Sequence, residues 1–232
     1  MIIIGHRGAR GLAAENTLAS IERALVCGVD EVEVDVRVTA DDVPVLNHNR
    51  AISHDGKLYL IARHTAAELK KEVTDLALLE DALQLVRGRA VLHIEVKHGE
   101  PVMPVVQLLK SYSSKVGNLH EILLGSKSQR ILRQLHQELP EVPKVVIEPW
   151  SGLRARYRAK QVATRRISMR SWWLWRGFLR AMQRSGYQLT PYTINTPGKA
   201  ARWQPYIYGI VTDYPDRFSG MQATPVTTGH EQ

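Results

Sequence analysis

Eight times along its length the chain alternates between a short apolar run and a stretch long enough for a helix, and few architectures accommodate that rhythm. The strand-sized runs are Ile2–Gly5, Glu31–Val36, Ala90–Val96, Glu121–Gly125, Lys144–Glu148, Arg166–Met169, Gln188–Ile194 and Gly209–Thr212. Helical periodicity is clearest over Asn16–Cys27, Leu79–Val86, Val102–Ser111, Ser128–Leu139 and Trp173–Arg184. Eight strands, each followed by a helix or a helix-sized gap, predict an α/β fold: a (β/α)8 TIM barrel, with a doubly wound open sheet as the main rival. A chain of 232 residues, 44% of them hydrophobic, suffices for one such domain, assigned to 1–220. Residues 37–64 break the rhythm with a hairpin and then an irregular polar stretch, which predicts a small insertion after the second strand. The segment 221–232, rich in Thr, Gly and Gln, reads as a flexible tail.

One cysteine, Cys27, excludes an internal disulfide framework and fits a reducing compartment. Its neighbours Ala24, Leu25 and Val26 make it a buried structural thiol rather than a nucleophile. Ile2–Ile4 is too short for a signal peptide, and no run reaches the roughly 18 apolar residues of a membrane span. The expectation is a soluble, cytoplasmic protein.

Directly behind the first strand stands GHRGARGLAAENT, residues 5–17. A loop that only turns the chain needs Gly, Pro, Asn or Asp, not a histidine, two arginines and a glutamate. In EVEVDV, residues 31–36, alternation puts the carboxylates of Glu33 and Asp35 on one face of a strand. Two acids aimed into one space repel each other, and a hard cation such as Mg²⁺ or Ca²⁺ compensates them. A turn near Ala40–Asp42, with Asp42 in the left-handed position, would return the chain and bring His48 beside that pair. In LHIEVKHG, residues 92–99, His93, Glu95 and Lys97 share one strand face and add a third carboxylate and an ammonium. All these strand ends open onto the same end of a barrel, where barrel enzymes carry their sites.

The fragments H-R-G (6–8), E-N-T (15–17), E-V-D-V (33–36), T-x-D (39–41), V-P-V-x-x-H (43–48) and I-E-V-K (94–97) together resemble the glycerophosphodiester phosphodiesterase family. Y-T-I-N (192–195) and V-T-D-Y-P (211–215) resemble that family's closing signatures, so the likeness spans nearly the whole chain in motif order. It implies a TIM barrel with an insertion after the second strand. It further implies that Glu33, Asp35 and Glu95 ligate one divalent cation, Mg²⁺ or Ca²⁺, and that His6 and His48 are the acid–base pair. Arg7 and Lys97 would bind the phosphate, with Glu15 and Asn16 supporting the site from the start of the first helix. The implied reaction is metal-dependent hydrolysis of a small-molecule glycerophosphodiester, such as glycerophosphocholine, to glycerol 3-phosphate and an alcohol. Four positions depart from the family pattern: Ala14, Asp42, Asn49 and Tyr192 stand where Pro, Gly, Asp and Trp are usual. Only Asn49 bears on chemistry. It is expected on the returning strand of the hairpin, so its side chain points away from that of His48 and acts on the loop backbone or a neighbour rather than on the imidazole.

The net charge of +8 is uneven. Between Glu148 and Asp213 there is no acidic residue against twelve Lys and Arg, which points to anionic partners. The segment 170–187 carries three Trp among arginines, and two readings of it stand. It either touches an anionic membrane surface peripherally, allowing phospholipase D-like action on lysophospholipids, or packs on the barrel through Trp173, Leu174, Phe178, Ala181 and Met182. A third reading is a non-catalytic lipid- or nucleic-acid-binding protein using residues 154–166. No nucleic acid is expected, because no binding motif or interleaved aromatic strand face is present. The leaving alcohol and the oligomeric state leave no mark on the sequence.

Overall fold

The computed structural model describes residues 1–117 and 119–221, so the expected tail lies, apart from Met221, outside the described residues. The strands are β1 (Ile2–Gly5), β2 (Glu31–Val38), β3 (Pro44–Leu46), β4 (Ala51–His54), β5 (Lys57–Leu60), β6 (Val91–Val96), β7 (Ile122–Ser126), β8 (Lys144–Ile147), β9 (Arg166–Arg170), β10 (Gln188–Tyr192) and β11 (Gly209–Thr212). The helices are α1 (Leu18–Val26), α2 (Ala66–Glu72), α3 (Leu79–Val86), α4 (Met103–Val116), α5 (Gln129–Glu138), α6 (Gly152–Gln161), α7 (Arg176–Arg184) and α8 (Pro197–Trp203).

Among the described residues, β1, β2 and β6 to β11 pair in parallel around a ring, and β1 lies against both β2 and β11. The sheet therefore closes, and the open-sheet alternative is excluded. Closure puts the alternation of each strand to use. Val32, Val34, Val36, Ile94 and Val96 point outward into the apolar layer beneath the helices, where none is exposed to solvent. The opposite faces point into the barrel. There Glu31 and Arg166, the first residues of β2 and β9, meet with Nη2 at 2.9 Å from each carboxylate oxygen and close the lower end. Above them the register sets Glu33 opposite His93 and Asp35 opposite Glu95.

The stretch after β2 is more regular than its polar composition predicts. β3 returns antiparallel to β2, with Asp42 in the left-handed region (φ 59°). A second hairpin, β4–β5, and the helix α2 follow, and α2 starts at a capping box between Thr65 and Glu68. Val45, Ile52, Ile61, Leu69, Val73 and Leu76 form a separate small core there. That apolar set is spread over thirty residues and shows only once the elements are folded onto each other.

Residues 154–166, expected as a basic patch, prove to be α6 and the start of β9. Arg158 is buried, donating to the carbonyls of Ile147 and Ser126, and Arg154 holds Glu148 through two hydrogen bonds of 2.6 Å. With Arg166 also paired, the three cations serve the fold rather than a partner. In α7, Leu179 and Met182 are buried as packing requires, together with Leu174 ahead of it, and Ala181 is exposed. Trp172 and Trp175 are exposed too. Cys27 caps α1 and is half-buried, so it is less enclosed than its neighbours in sequence suggest.

Candidate active site

The loop after β1 is held at both ends of its backbone. Gly8 N donates to Glu33 O at 3.1 Å and Asn16 N to Arg7 O at 3.0 Å. Gly8 has φ +79°, and a Cβ there would run into the backbone and hydroxyl of Ser20, so only glycine lets α1 approach this closely. Glu15 and Asn16 lie in this loop, not in the first helix. Thr17 caps α1, and Asn16 turns into the left-handed region (φ 59°) to reach Asp35. Its amide donates to Asp35 Oδ2 at 3.1 Å, and its carbonyl accepts from Asp35 N at 3.0 Å.

Glu33, Asp35 and Glu95 come together as expected. Each is buried, and each offers an oxygen within 4.8 Å of the others. Lys97 Nζ donates to Asp35 Oδ1 and Glu95 Oε1, both at 2.9 Å. Arg7 Nε lies 2.9 Å from Asp35 Oδ2, and its Nη1 donates to Glu15 Oε1 at 2.7 Å. Burial works to raise the Asp35 carboxyl, but the charges of Lys97 and Arg7 outweigh it and hold the group well below the usual range. Glu33 has no such escort. Burial, then the nearby Asp35 charge, push it up to about 7. Among the described residues, Glu33 Oε1 and Glu95 Oε2 accept no hydrogen bond from the protein. Three buried carboxylates, two of them with an oxygen that accepts nothing and one reluctant to ionise, fit a hard divalent cation.

A pH dependence follows from Glu33. A carboxyl whose folded-state pKa is raised contributes stability below its unfolded value, and that contribution is lost as pH climbs through about 7. A cation at the cluster restores what is lost. Thermal midpoints with chelator and with divalent metal are expected to differ more at pH ~8 than at pH ~5. An equal metal response at the two values would put the cation elsewhere.

The two histidines come from different elements. His6 Nδ1 lies 2.6 Å from Asp213 Oδ1, and Asn195 donates to Asp213 Oδ2 at 2.9 Å. Burial tends to raise the Asp213 carboxyl, but the hydrogen bonds from His6 and Asn195 prevail and keep it below the ordinary range. His48 follows β3. Burial pushes its pKa down, partly opposed by the Asp35 charge.

The expected orientation of Asn49 is overturned. Its Oδ1 sits 3.0 Å from His48 Nδ1, because β3 ends at Leu46 and strand alternation no longer applies to residues 47–49. The amide oxygen accepts from Nδ1–H, which presents Nε2 as the free nitrogen. Asn49→Asp would place a charge on the imidazole directly. Turnover is expected to stay within about tenfold, with the limb of the pH–rate profile that reports His48 moving up by about one unit. An unmoved limb, or a gain of a hundredfold or more, would contradict this.

A cavity of about 420 Å³ opens at this end of the barrel, lined by His6, Arg7, Glu33, His48 and Glu95. Asp35 and Lys97 are buried and do not line it. Asp213, Asn195 and Arg10 escaped the sequence reading as site residues, although the first two stand within the closing signatures. Lys127, directly after β7, with Arg170 of β9 and Tyr192 of β10, completes the far wall. His93, at the floor, is buried with no partner for either ring nitrogen, and burial pushes its pKa down to about 3, so it stays neutral. Gly125 makes room for it, since a Cβ there would fall 2.7 Å from Nε2.

Comparison with known proteins follows the same lines. Residues 6–217 match the Glycerophosphoryl diester phosphodiesterase family. YhdW of Bacillus subtilis (strain 168) is 28% identical over 236 residues, covering 93% of this chain and 96% of that protein. The structure is similar to that of an Oleispira antarctica phosphodiesterase in complex with the product sn-glycerol-3-phosphate, with a TM-score of 0.80 and 22% identity over 94% of this chain and 95% of that one. A Thermotoga maritima glycerophosphodiester phosphodiesterase gives a TM-score of 0.79 and 21% identity over 95% and 98% of the two chains.

Proposed function

Because the chain belongs to the glycerophosphoryl diester phosphodiesterase family, we propose for its residues the following division of roles in hydrolysing a glycerophosphodiester to glycerol 3-phosphate and an alcohol. One observation carries it: two histidines on separate elements line one cavity with Glu33 and Glu95, two members of a buried three-carboxylate cluster that Asp35 completes. Glu33, Asp35 and Glu95 hold one divalent cation, Mg²⁺ or Ca²⁺. When bound, it neutralises charge on the phosphoryl oxygens. Arg7 and Lys97 act first on the carboxylates, and their remaining donors serve the phosphate, since Arg has five N–H groups and Lys three. Arg7, which lines the cavity, reaches the phosphate more directly than Lys97. One histidine accepts a proton from the nucleophile and the other donates one to the leaving oxygen. Asp213 fixes the ring of His6, and Asn49 that of His48. Glu15 and Asn16 keep Arg7 and Asp35 in place.

The test is turnover of a panel of glycerophosphodiesters with chelator, Mg²⁺ or Ca²⁺. Activity that vanishes with chelator and returns with metal is expected. Activity indifferent to chelation would sink the cation role. The family and the site make the chain an enzyme, and the non-catalytic binding reading falls.

A peripheral membrane contact belongs to the same proposal. Trp150, Leu153, Trp172 and Trp175 are 53%, 81%, 68% and 66% exposed in the segments after β8 and β9, Leu153 in the first turn of α6, within the acid-free third of the chain. Exposed Trp beside Arg suits the interface of an anionic bilayer, where lysophospholipid headgroups would meet the cavity. No helix among the described residues is long and apolar enough to cross a membrane. Leu153→Ser combined with Trp175→Ser is expected to reduce co-sedimentation with anionic vesicles. Undiminished binding would remove this contact from the proposal.

A further inference from the structure

We infer that Arg170, Tyr192 and Lys127 form a subsite for the leaving alcohol that accepts oxygen-rich groups without an ammonium, such as polyols or phosphate-bearing alcohols. The inference rests on the phosphodiesterase reading and deepens it. The carboxylates lining the cavity are Glu33 and Glu95, both committed to the acidic cluster. Among the described residues the far wall offers no further acid to receive a cationic headgroup.

That wall is instead a set of donors. Arg170 and Tyr192 are register partners in the parallel pair β9–β10, which sets them side by side. The Tyr192 hydroxyl is buried and has no hydrogen-bond partner among the described residues. A buried hydroxyl is normally satisfied, so one left open on a cavity wall calls for a ligand oxygen. Burial pushes this phenol up to about 12, and it therefore keeps its proton to donate. Arg170 forms no ion pair among the described residues, and its guanidinium carbon lies 4.7 Å from the centroid of the Trp150 ring. Stacking there holds the guanidinium by its face and leaves its edge donors available. Lys127 Nζ, 3.4 Å from Glu95 Oε1, stands between this wall and the acidic cluster. Arg and Lys have no acceptor to give, and both repel an ammonium.

An aromatic cage is the arrangement by which a quaternary ammonium would be welcomed without a carboxylate. Arg170 already occupies a face of Trp150, and Trp172 packs against the same ring in an edge arrangement at 5.8 Å. The Trp150 face is thus taken by a resident cation.

All the substrates share glycerol, so differences among them report the leaving group. We would measure kcat/KM for glycerophosphoglycerol, glycerophosphoinositol, glycerophosphocholine and glycerophosphoethanolamine. The first two are expected to exceed the last two by at least about tenfold. Arg170→Gln and Tyr192→Phe should each shrink that ratio by about fivefold or more, whereas a merely structural role would lower all four substrates alike. Dissociation constants of the same four diesters, measured by calorimetry with the metal-loaded His48→Ala protein, should rank in the same order. A ratio near one, a preference for the ammonium substrates, or variants that leave the ratio intact would overturn the subsite. Absence of turnover on every diester, with the binding order still as stated, would instead overturn the phosphodiesterase reading and leave the subsite supported.

Discussion

Glu95→Ala is expected to lower turnover by more than about 10³-fold while the barrel remains folded, because a cation held by three oxygens cannot spare one and supplies several kcal/mol of charge stabilisation. Glu33→Ala should do the same. It should also raise the thermal midpoint of the metal-free protein above neutral pH, since it removes the carboxylate that burial and Asp35 make reluctant to ionise. Asp35→Ala differs. Sequence alone treats the three acids as equivalent, but Asp35 accepts from Lys97 and Asn16 and is ion-paired with Arg7 at once. Removing it leaves the buried Lys97 ammonium with Glu95 alone and takes away the partner of Asn16 and Arg7, and losing one partner of a buried pair costs about 3–5 kcal/mol. Its activity loss should therefore come with a clear drop in the unfolding midpoint. Any of the three variants that keeps near-normal turnover at low metal is not a ligand.

His6→Ala and His48→Ala should each lower kcat by about 10²–10⁴-fold, the range for a lost general acid or base. The double variant should be little worse than either single one, because a proton accepted at one end of the reaction and donated at the other belongs to one event. Losses that multiply would mean independent roles and would defeat the paired assignment. The two single variants should also differ in pH dependence. His6 is buttressed by the Asp213 carboxylate, whereas His48 has a neutral amide.

Much of this was legible in the sequence for a physical reason. A strand repeats every two residues, so Glu33 with Asp35, and His93 with Glu95 and Lys97, had to share faces wherever the strands went. The rhythm of eight runs likewise left little besides a barrel. What alternation cannot express is which residues meet across the ring. Asp213 and His6 are separated by 207 positions and touch only because β11 lies beside β1. Nor does alternation survive the end of a strand. Asn49 turned toward His48 since the backbone had already left β3. The charges of residues 154–166 divide for another reason, because composition does not distinguish solvated cations such as Arg156, Lys160 and Arg165 from Arg158, which satisfies buried carbonyls.

The pairing of β1 with β11 has a consequence for the order in which the working parts come into being. All three carboxylates, both histidines and Lys97 are synthesised within the first hundred residues, but the aspartate that orients His6 arrives with the last strand. A chain emerging from the ribosome can therefore gather its acidic cluster well before it can hold its first imidazole in place. Under the proposed roles, the residues for ion capture are therefore complete in the growing chain before the contact that readies His6 for bond cleavage can form.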